Sequence, residues 1–396
     1  MNEAAAFSNE HQAEGFRASP YFGAEHEMLR DQVRRFVDEE IKPHGDAWEA
    51  LGYVPREVLR RMGSLGFFGI RYPEAYGGSG MDTLGSVVFA EELGRSTFSG
   101  AAITALVHTD MASVHVFSSG SEAQKSRWMP KIIAGEAICA VAVTEPDAGS
   151  DVKGIRTTAR KRDGGYVLDG AKMFITNGVH ADLYCVAAKT GETDSGSKAL
   201  SMFLIEKGTP GFRVSRALQK HGWRSSDTAE LLFENCFVPQ TSLLGEAGAG
   251  FYSIMRNFQN ERIVIGAMAM GEAQAALDLT IDYLKARKAF GAPLWSKQAI
   301  RQRLAMRAAE VEAGRQLVHS VAWRIARGDD MTREVSMAKA YCGELVNAVM
   351  YDCVQFHGGM GFMSESVIER MSRDARVQAI GGGATEVMLE EVAKRL

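Results

Sequence analysis

From Phe251 to Phe290 the chain carries no proline, and Ile254, Phe258, Val264, Ile265 and Met268 return at helical spacing on one face. Two further runs, "QAIRQRLAMRAAEVEAGRQLVHSVAWRIARG" and "REVSMAKAYCGELVNAVMYDCVQFHGG", have the same character. Helices of this length bury their apolar stripes by packing antiparallel, so the last part of the chain is expected to be a helical bundle.

The rest of the chain has two other textures. From about Tyr21 to Ile138 the pattern is helical. In "EHEMLRDQVRRFVDEEIKP" Leu29, Val33, Phe36, Val37 and Ile41 share a face, and Pro43 is expected to end the helix. "PREVLRRMGSLG" opens with Pro55 and closes on glycines, and "PEAYGGSGMD" reads as a turn before "TLGSVVFAEELG". From Ala140 to about Gly245 the period shortens. "GYVLDGAKMFITNG", with its Asn177–Gly178 turn signal, and "ADLYCVAAKT", "ALSMFLIEK", "FRVSRAL" and "TAELLFENCFVP" read as strands, while "KTGETDSGSKA" reads as a polar loop tip.

A length of 396 residues suits two or three domains. Lysine and arginine number 45 against 49 acidic residues, a net charge of −4, which advertises neither nucleic acid nor an anionic membrane as partner. The five cysteines, Cys139, Cys185, Cys236, Cys342 and Cys353, never form a CxxC and read as reduced, packed thiols. No apolar run approaches the roughly 18 residues of a membrane span. The N-terminal stretch resembles neither a signal nor a transit peptide and reads as a frayed tail. The expectation is a cytoplasmic protein.

Zinc-protease, serine-hydrolase, P-loop and Rossmann motifs are missing. Ser195–Lys198 fits SxxK by chance in a polar tip, and the histidines show no metal-ligand spacing. His357, beside two glycines, reads as a packed residue at a helix end. "AVTEPDAGSDVKG", Ala142–Gly154, follows a strand and mixes small residues with Thr144, Ser150 and acids. Such a run either closes a turn through Asx and Ser caps or offers amides and hydroxyls to a heterocycle or phosphate. Both readings stand on the residues alone.

Ala142–Gly154 resembles the first signature of the acyl-CoA dehydrogenase family, and "QFHGGMGFMSESVIERMSRD", Gln355–Asp374, is similar to the second. "PEAYGGSG", "SEAQKSRWMPKIIAGE", "KMFITNG", "DTAELLFENCFVP", "LGEAGAGF" and "RKAFG" follow the family's order, across roughly residues 24–396. The resemblance implies an α+β chain: a tail (1–23), an N-terminal α-helical domain (24–138), a middle β-barrel-like domain (139–245) and a C-terminal four-helix bundle (246–396). It further implies FAD, an acyl-CoA substrate, electron-transferring flavoprotein as acceptor, and a homotetramer built as a dimer of dimers.

Residues carry over by position. Val141, Val143, Thr144, Gly149, Ser150, Phe174, Ile175 and Thr176 are expected at the flavin, with Thr144 and Thr176 as hydrogen-bond donors. Arg287, Phe290, Gln298, Gln355, Gly358 and Gly359 are expected to hold the adenosine diphosphate portion of a neighbouring subunit's FAD, and Ala384, Thr385 and Glu386 are also expected at the cofactor. Ser150, Tyr252, Arg262 and Gly383 are expected at the substrate. No metal is implied.

The reaction removes a proton next to the thioester carbonyl and a hydride from the next carbon, so it needs a carboxylate and donors for the developing enolate oxygen. Many relatives place that glutamate in a C-terminal "YEGT" loop. Here "IGGGATEVM" has Gly381 and Gly382 in place of the tyrosine and the glutamate. Glu261 lies on an apolar helix face with no basic residue at ±3 or ±4, so it either snorkels outward or is functional. Long-chain, isovaleryl- and citronellyl-type dehydrogenases are similar in pairing a loop glycine with Glu-Arg on this helix, which implies Glu261 as base. Gly382 then keeps a backbone N–H for the thioester oxygen, and its missing side chain is expected to leave room for acyl bulk.

The expected product is the trans-2-enoyl-CoA of a medium-chain, long-chain or methyl-branched acyl group. Rival readings are an acyl-CoA oxidase or a flavin monooxygenase on the same fold. A DNA-binding alkylation-response flavoprotein is disfavoured by the acidic charge and by the chain stopping at Leu396 without a basic extension.

Overall fold

A computed structural model describes residues 19–191 and 199–396. Residues 1–18 of the expected tail, and the polar tip with Ser195 and Lys198, lie outside the described residues. Tyr21 and Phe22, which the tail boundary at 23 included, instead set their rings 6.3 and 4.7 Å from that of His319.

The first helix, α1 (Ala24–Phe36), does not stop at Pro43. One π turn, Val37–Ile41, carries the chain into α2 (Lys42–Leu51), where Pro43 falls in the first turn. A proline there lacks only an N–H that the turn leaves unpaired anyway. Next come α3 (Arg56–Ser64), opened by Pro55, and α4 (Thr83–Gly94), capped by Asp82 accepting from the amides of Leu84 and Gly85. The segment closes with α5 (Ser99–Leu106), α6 (Ser113–Ser119) and α7 (Glu122–Ile133).

The middle segment folds into β1 (Cys139–Ala142), β2 (Thr158–Arg162), β3 (Gly165–Thr176), β4 (Leu183–Lys189), β5 (Leu200–Glu206), β6 (Phe212–Ala217), β7 (Thr228–Pro239) and β8 (Leu243–Leu244). These make one eight-stranded sheet in the order β6-β7-β3-β2-β4-β5-β8, with β1 parallel to β4. The path is open, ending on β6 and β8. Asn177 turns the chain at φ 63°, yet β3 and β4 are not partners: β3 pairs with β2 and β7. The Asn177 amide donates instead to the carbonyls of Thr104 and Cys139, tying the sheet to α5.

The C-terminal segment is dominated by α8 (Gly250–Ala286, 37 residues). A short hairpin of β9 (Lys288–Ala289) and β10 (Ala292–Pro293) leads to α9 (Gln298–Ala326) and α10 (Thr332–His357), then α11 (Val367–Ala375) and α12 (Thr385–Ala393). By length and composition α8 could cross a membrane, but 83% of its most apolar window is buried within the chain. Its cover includes the N-terminal segment: Val87, Phe89 and Leu93 of α4 share one core with Val264, Met268 and Ala273 of α8, Val318 of α9 and Val346 of α10. Two glycines set the spacing. A Cβ on Gly94 would stand 2.2 Å from the Met268 carbonyl oxygen, and one on Gly271 2.0 Å from that of Glu91. All five cysteines are buried and free.

Candidate active site

Glu261 sits about a third of the way along α8 and is 7% exposed, with Ile254, Val264 and Ile265 of the same face also buried. It does not snorkel. Burial lifts its carboxyl from 4.5 to about 7, against the pull of neighbouring Arg262 and of a hydrogen bond from Asn257. Asn257 Nδ2 lies 2.9 Å from Glu261 Oε1. Arg262 is buried too, its guanidinium 5.3 Å over the Phe258 ring, and its Nε makes no hydrogen bond among the described residues.

The three glycines reach this same stretch of α8. Gly382 (φ +65°) and Gly383 (φ +105°) lie where L side chains are strained. A Cβ on Gly382 would meet Ile265 Cδ1 at 2.4 Å, and one on Gly383 would lie 3.9 Å from Arg262 Nε. Ile265 is one helical turn beyond Glu261, so the loop runs along the flank of the candidate base. The room expected at Gly382 is therefore not open: the end of the Ile265 side chain takes it. The Gly383 carbonyl accepts from Lys339 Nζ of α10, which burial pushes down to about 8. Sequence reasoning missed Lys339, although a lone lysine among small and apolar residues in "VSMAKAYCG" is a signal of burial. Ala384 caps α12, the Thr385 hydroxyl donates to Glu344 (2.7 Å) inside the chain, and Glu386 is exposed.

A second group gathers at the ends of β1 and β3. The Met173 amide donates to the Thr144 carbonyl at 2.9 Å, so Thr144 borders Phe174–Thr176. Phe174 is 65% exposed at φ 61°, a strained backbone presenting an aromatic ring outward. Thr176 is half-buried, whereas the Ile175 side chain points into the sheet core, leaving only its backbone available. Val141 and Val143 are half-buried, and Gly149 and Ser150 are exposed. Lys153 lies 5.5 Å over the Phe251 ring, tying the Ser150 loop to the first turn of α8, which carries exposed Tyr252.

The loop is pinned from beneath by a pair that sequence reasoning missed. Glu145 and Lys172 are both buried, 2.8 Å apart; Glu145 also accepts the amides of Arg156 and Thr157, and Lys172 donates to the Val143 carbonyl. In a strand, a lysine between Ala171 and Met173 gives no local hint that its partner lies on the signature loop.

A third group collects at the far end of α8. The His357 ring stacks 4.3 Å from Tyr283, whose hydroxyl donates to the His357 carbonyl. This joins the exposed Arg287, Phe290 and Gln298 to the exposed Gln355, Gly358 and Gly359. Phe290 is 94% exposed at φ 50°, and no atom lies within 4 Å of a Cβ built on Gly358 or Gly359. His357 is thus the packed helix-end residue expected.

Residues 23–136, 140–236 and 248–396 match, in turn, the N-terminal, middle and C-terminal domains of acyl-CoA dehydrogenase. The chain is 39% identical over 376 residues to the mitochondrial long-chain specific acyl-CoA dehydrogenase of Sus scrofa, spanning 95% of this chain and 87% of that one. Among solved structures, an acyl-CoA dehydrogenase from Geobacillus kaustophilus has a TM-score of 0.92 at 40% identity, over 96% of this chain and 99% of that one. PigA with FAD and proline has a TM-score of 0.91 at 26% identity, over 94% and 98%.

Proposed function

The chain belongs to the acyl-CoA dehydrogenase family, FAD-dependent oxidoreductases acting on acyl-CoA, and on that premise we propose that it desaturates a medium-chain, long-chain or methyl-branched acyl-CoA with Glu261 as base. The observation that carries this reading is a buried carboxylate poised at about 7 on the same flank of α8 as the Gly382 loop. A base near neutrality combines a large ionised fraction with real proton affinity.

Each group then has a task. Glu261 takes the proton next to the thioester carbonyl. The Gly382 N–H, which needs no side chain, donates to the thioester oxygen as negative charge develops there. Arg262, Gly383, Ser150 and Tyr252 hold the substrate, and buried Lys339 ties the glycine loop to α10 through the Gly383 carbonyl. Bound FAD supplies the hydride acceptor.

The residues present fit that cofactor. An outward-facing Phe174 beside half-buried Thr144 and Thr176 offers a flat apolar surface with hydroxyl and amide donors. Open space over Gly358 and Gly359 beside exposed Arg287 suits a pyrophosphate. Arg287 stands 26 residues beyond Glu261 on the same helix (287 − 261), about 39 Å at 1.5 Å per residue. That separation supports the reading in which Arg287, Phe290 and Gln355 serve the cofactor of a second chain within a homotetramer. Electron-transferring flavoprotein completes the cycle as acceptor.

Glu261→Gln tests the assignment. The variant is expected to bind FAD normally yet lose flavin bleaching by acyl-CoA by about 10²–10⁴-fold. Near-normal bleaching would sink it. An acyl-CoA panel from C4 to C18 with branched members, scored by bleaching, assigns the chain length.

A further inference from the structure

Asn257 meets Glu261 from the side turned away from the glycine loop. At 100° per residue, Ile265 and Arg262 fall on one side of Glu261, and Asn257, Ser253 and Asn260 on the other. Asn257 Nδ2 donates to Glu261 Oε1 at 2.9 Å and to the Met111 carbonyl at 2.7 Å, while its oxygen accepts from Asn260 Nδ2 at 3.3 Å. Two acceptors at one end decide the orientation of the amide, because only the NH₂ end satisfies both. Among the described residues this is the one hydrogen bond that the carboxylate receives.

Behind the amide stands a small polar group. His115 Nε2 lies 3.5 Å from Asn257 Nδ2, its Nδ1 lies 3.2 Å from Ser253 Oγ, and Ser253 Oγ lies 3.2 Å from Ser119 Oγ. The group borders a cavity of about 250 Å³ lined in part by Tyr72, Phe117, Arg256 and Asn260. The base therefore has two unlike flanks: the glycine loop on one, and the Asn257, His115 and Ser253 side chains bordering the cavity on the other.

We propose that Asn257 is a positioning residue for the reaction: its amide holds the Glu261 carboxylate in one orientation and stabilises its ionised form through a hydrogen bond. The proposal rests on Glu261 being the base. The charged and titratable groups around the carboxylate are few. Arg262 is its neighbour on α8, Lys339 of α10 faces Arg262 and the Gly383 carbonyl, and His115 of α6 is kept neutral by burial, its imidazole pushed down to about 4. Asp110, in a second π turn (Val107–Ala112) that leads into α6, lies 3.9 Å from Arg71. Removing the Asn257 donor leaves burial opposed by Arg262 alone, so the protonated acid gains.

The test is the pH dependence of flavin bleaching in holoenzyme, using whichever saturated acyl-CoA of the panel bleaches the wild type fastest. Asn257→Asp keeps the shape and replaces the donor by an acceptor that, when ionised, also repels the Glu261 carboxylate; Asn257→Leu removes the hydrogen bond without adding charge. The acid limb is expected to move up by about one pH unit in the Leu variant and by at least that in the Asp variant, so that bleaching at pH 7 slows about fivefold or more and the Leu variant recovers toward the wild-type rate near pH 9.5. FAD content and KM should stay close to wild type.

A wild-type limb in the Asp variant at full FAD content overturns the proposal, whether or not the Leu variant folds. A uniform loss of rate at every pH overturns it too, since structural damage alone produces that. Glu261→Gln run alongside separates the two ideas. If it bleaches normally, the base assignment falls; if it is inert while the Asn257 variants keep the wild-type limb, only the role of Asn257 falls.

Discussion

Burying Glu261 costs the fold something that a neutral amide would not. Its carboxyl titrates at about 7 in the folded chain against 4.5 outside it. Between those values the folded state holds a proton that the unfolded state has lost, so stability falls as pH rises through this window. Glu261→Gln is therefore expected to stabilise the protein at pH 8 by roughly 1–3 kcal/mol and to change little at pH 4.5 or below. Thermal melts of both proteins at the two pH values check this, and equal shifts at both would contradict it. Glu261 was legible in the sequence because an acid on an apolar face with no cation at ±3 or ±4 is already an anomaly. Asn257, Lys339 and Lys172 were not, because each acquires its meaning from a partner that the linear chain does not identify. An asparagine four residues before a glutamate looks like any exposed helix pair until Met111 is seen to fix its amide.

At the scale of elements, periodicity carried the long helices and most strands correctly, since apolar spacing reports which face is buried. It failed at Pro43. One π turn shifts the register by a single residue, too little to disturb the apolar pattern, and the proline then reads as a stop instead of the start of a new helical segment. The seam between α4 and α8 was equally silent. Gly94 and Gly271 each press on a carbonyl of the opposite helix, and a small residue in a helical run does not say which helix comes close. Gly271→Ala is expected to destabilise the protein by about 1–3 kcal/mol or more, because neither contacting carbonyl can move without its helix. Denaturant titration measures the loss; an unchanged midpoint would show that the seam has slack.

On the scale of the whole molecule, α8 joins two jobs. Glu261 lies in its first third and the Arg287 cluster lies at its end, so the proposed assembly shares each cofactor between chains. Co-expression tests this directly. Glu261→Gln supplies a sound adenosine end without a base, and an Arg287→Ala/Phe290→Ala chain that loses FAD supplies a base without that end. Either alone should be inert, whereas random mixing should restore about a quarter of the sites in a two-fold pair. A mixture as inert as its parents would place both ends of the site in one chain. The order helical, β, helical was readable along the sequence. That the two helical segments share one core was not, because texture locates segments and says nothing of which segments meet.

That shared core has a consequence for how the chain is made. Every residue of α4 is buried, and its cover includes α8, whose Gly271 emerges 177 residues after Gly94 (271 − 94). At the pace of ribosomal synthesis, roughly 5–20 residues per second, the gap is on the order of 10–35 seconds. For that time an apolar helix waits on the ribosome without its partner while the β segment emerges and folds between them. A chain laid out this way invites a chaperone during translation, and its most exposed moment comes before the proposed base, Glu261, has been synthesised.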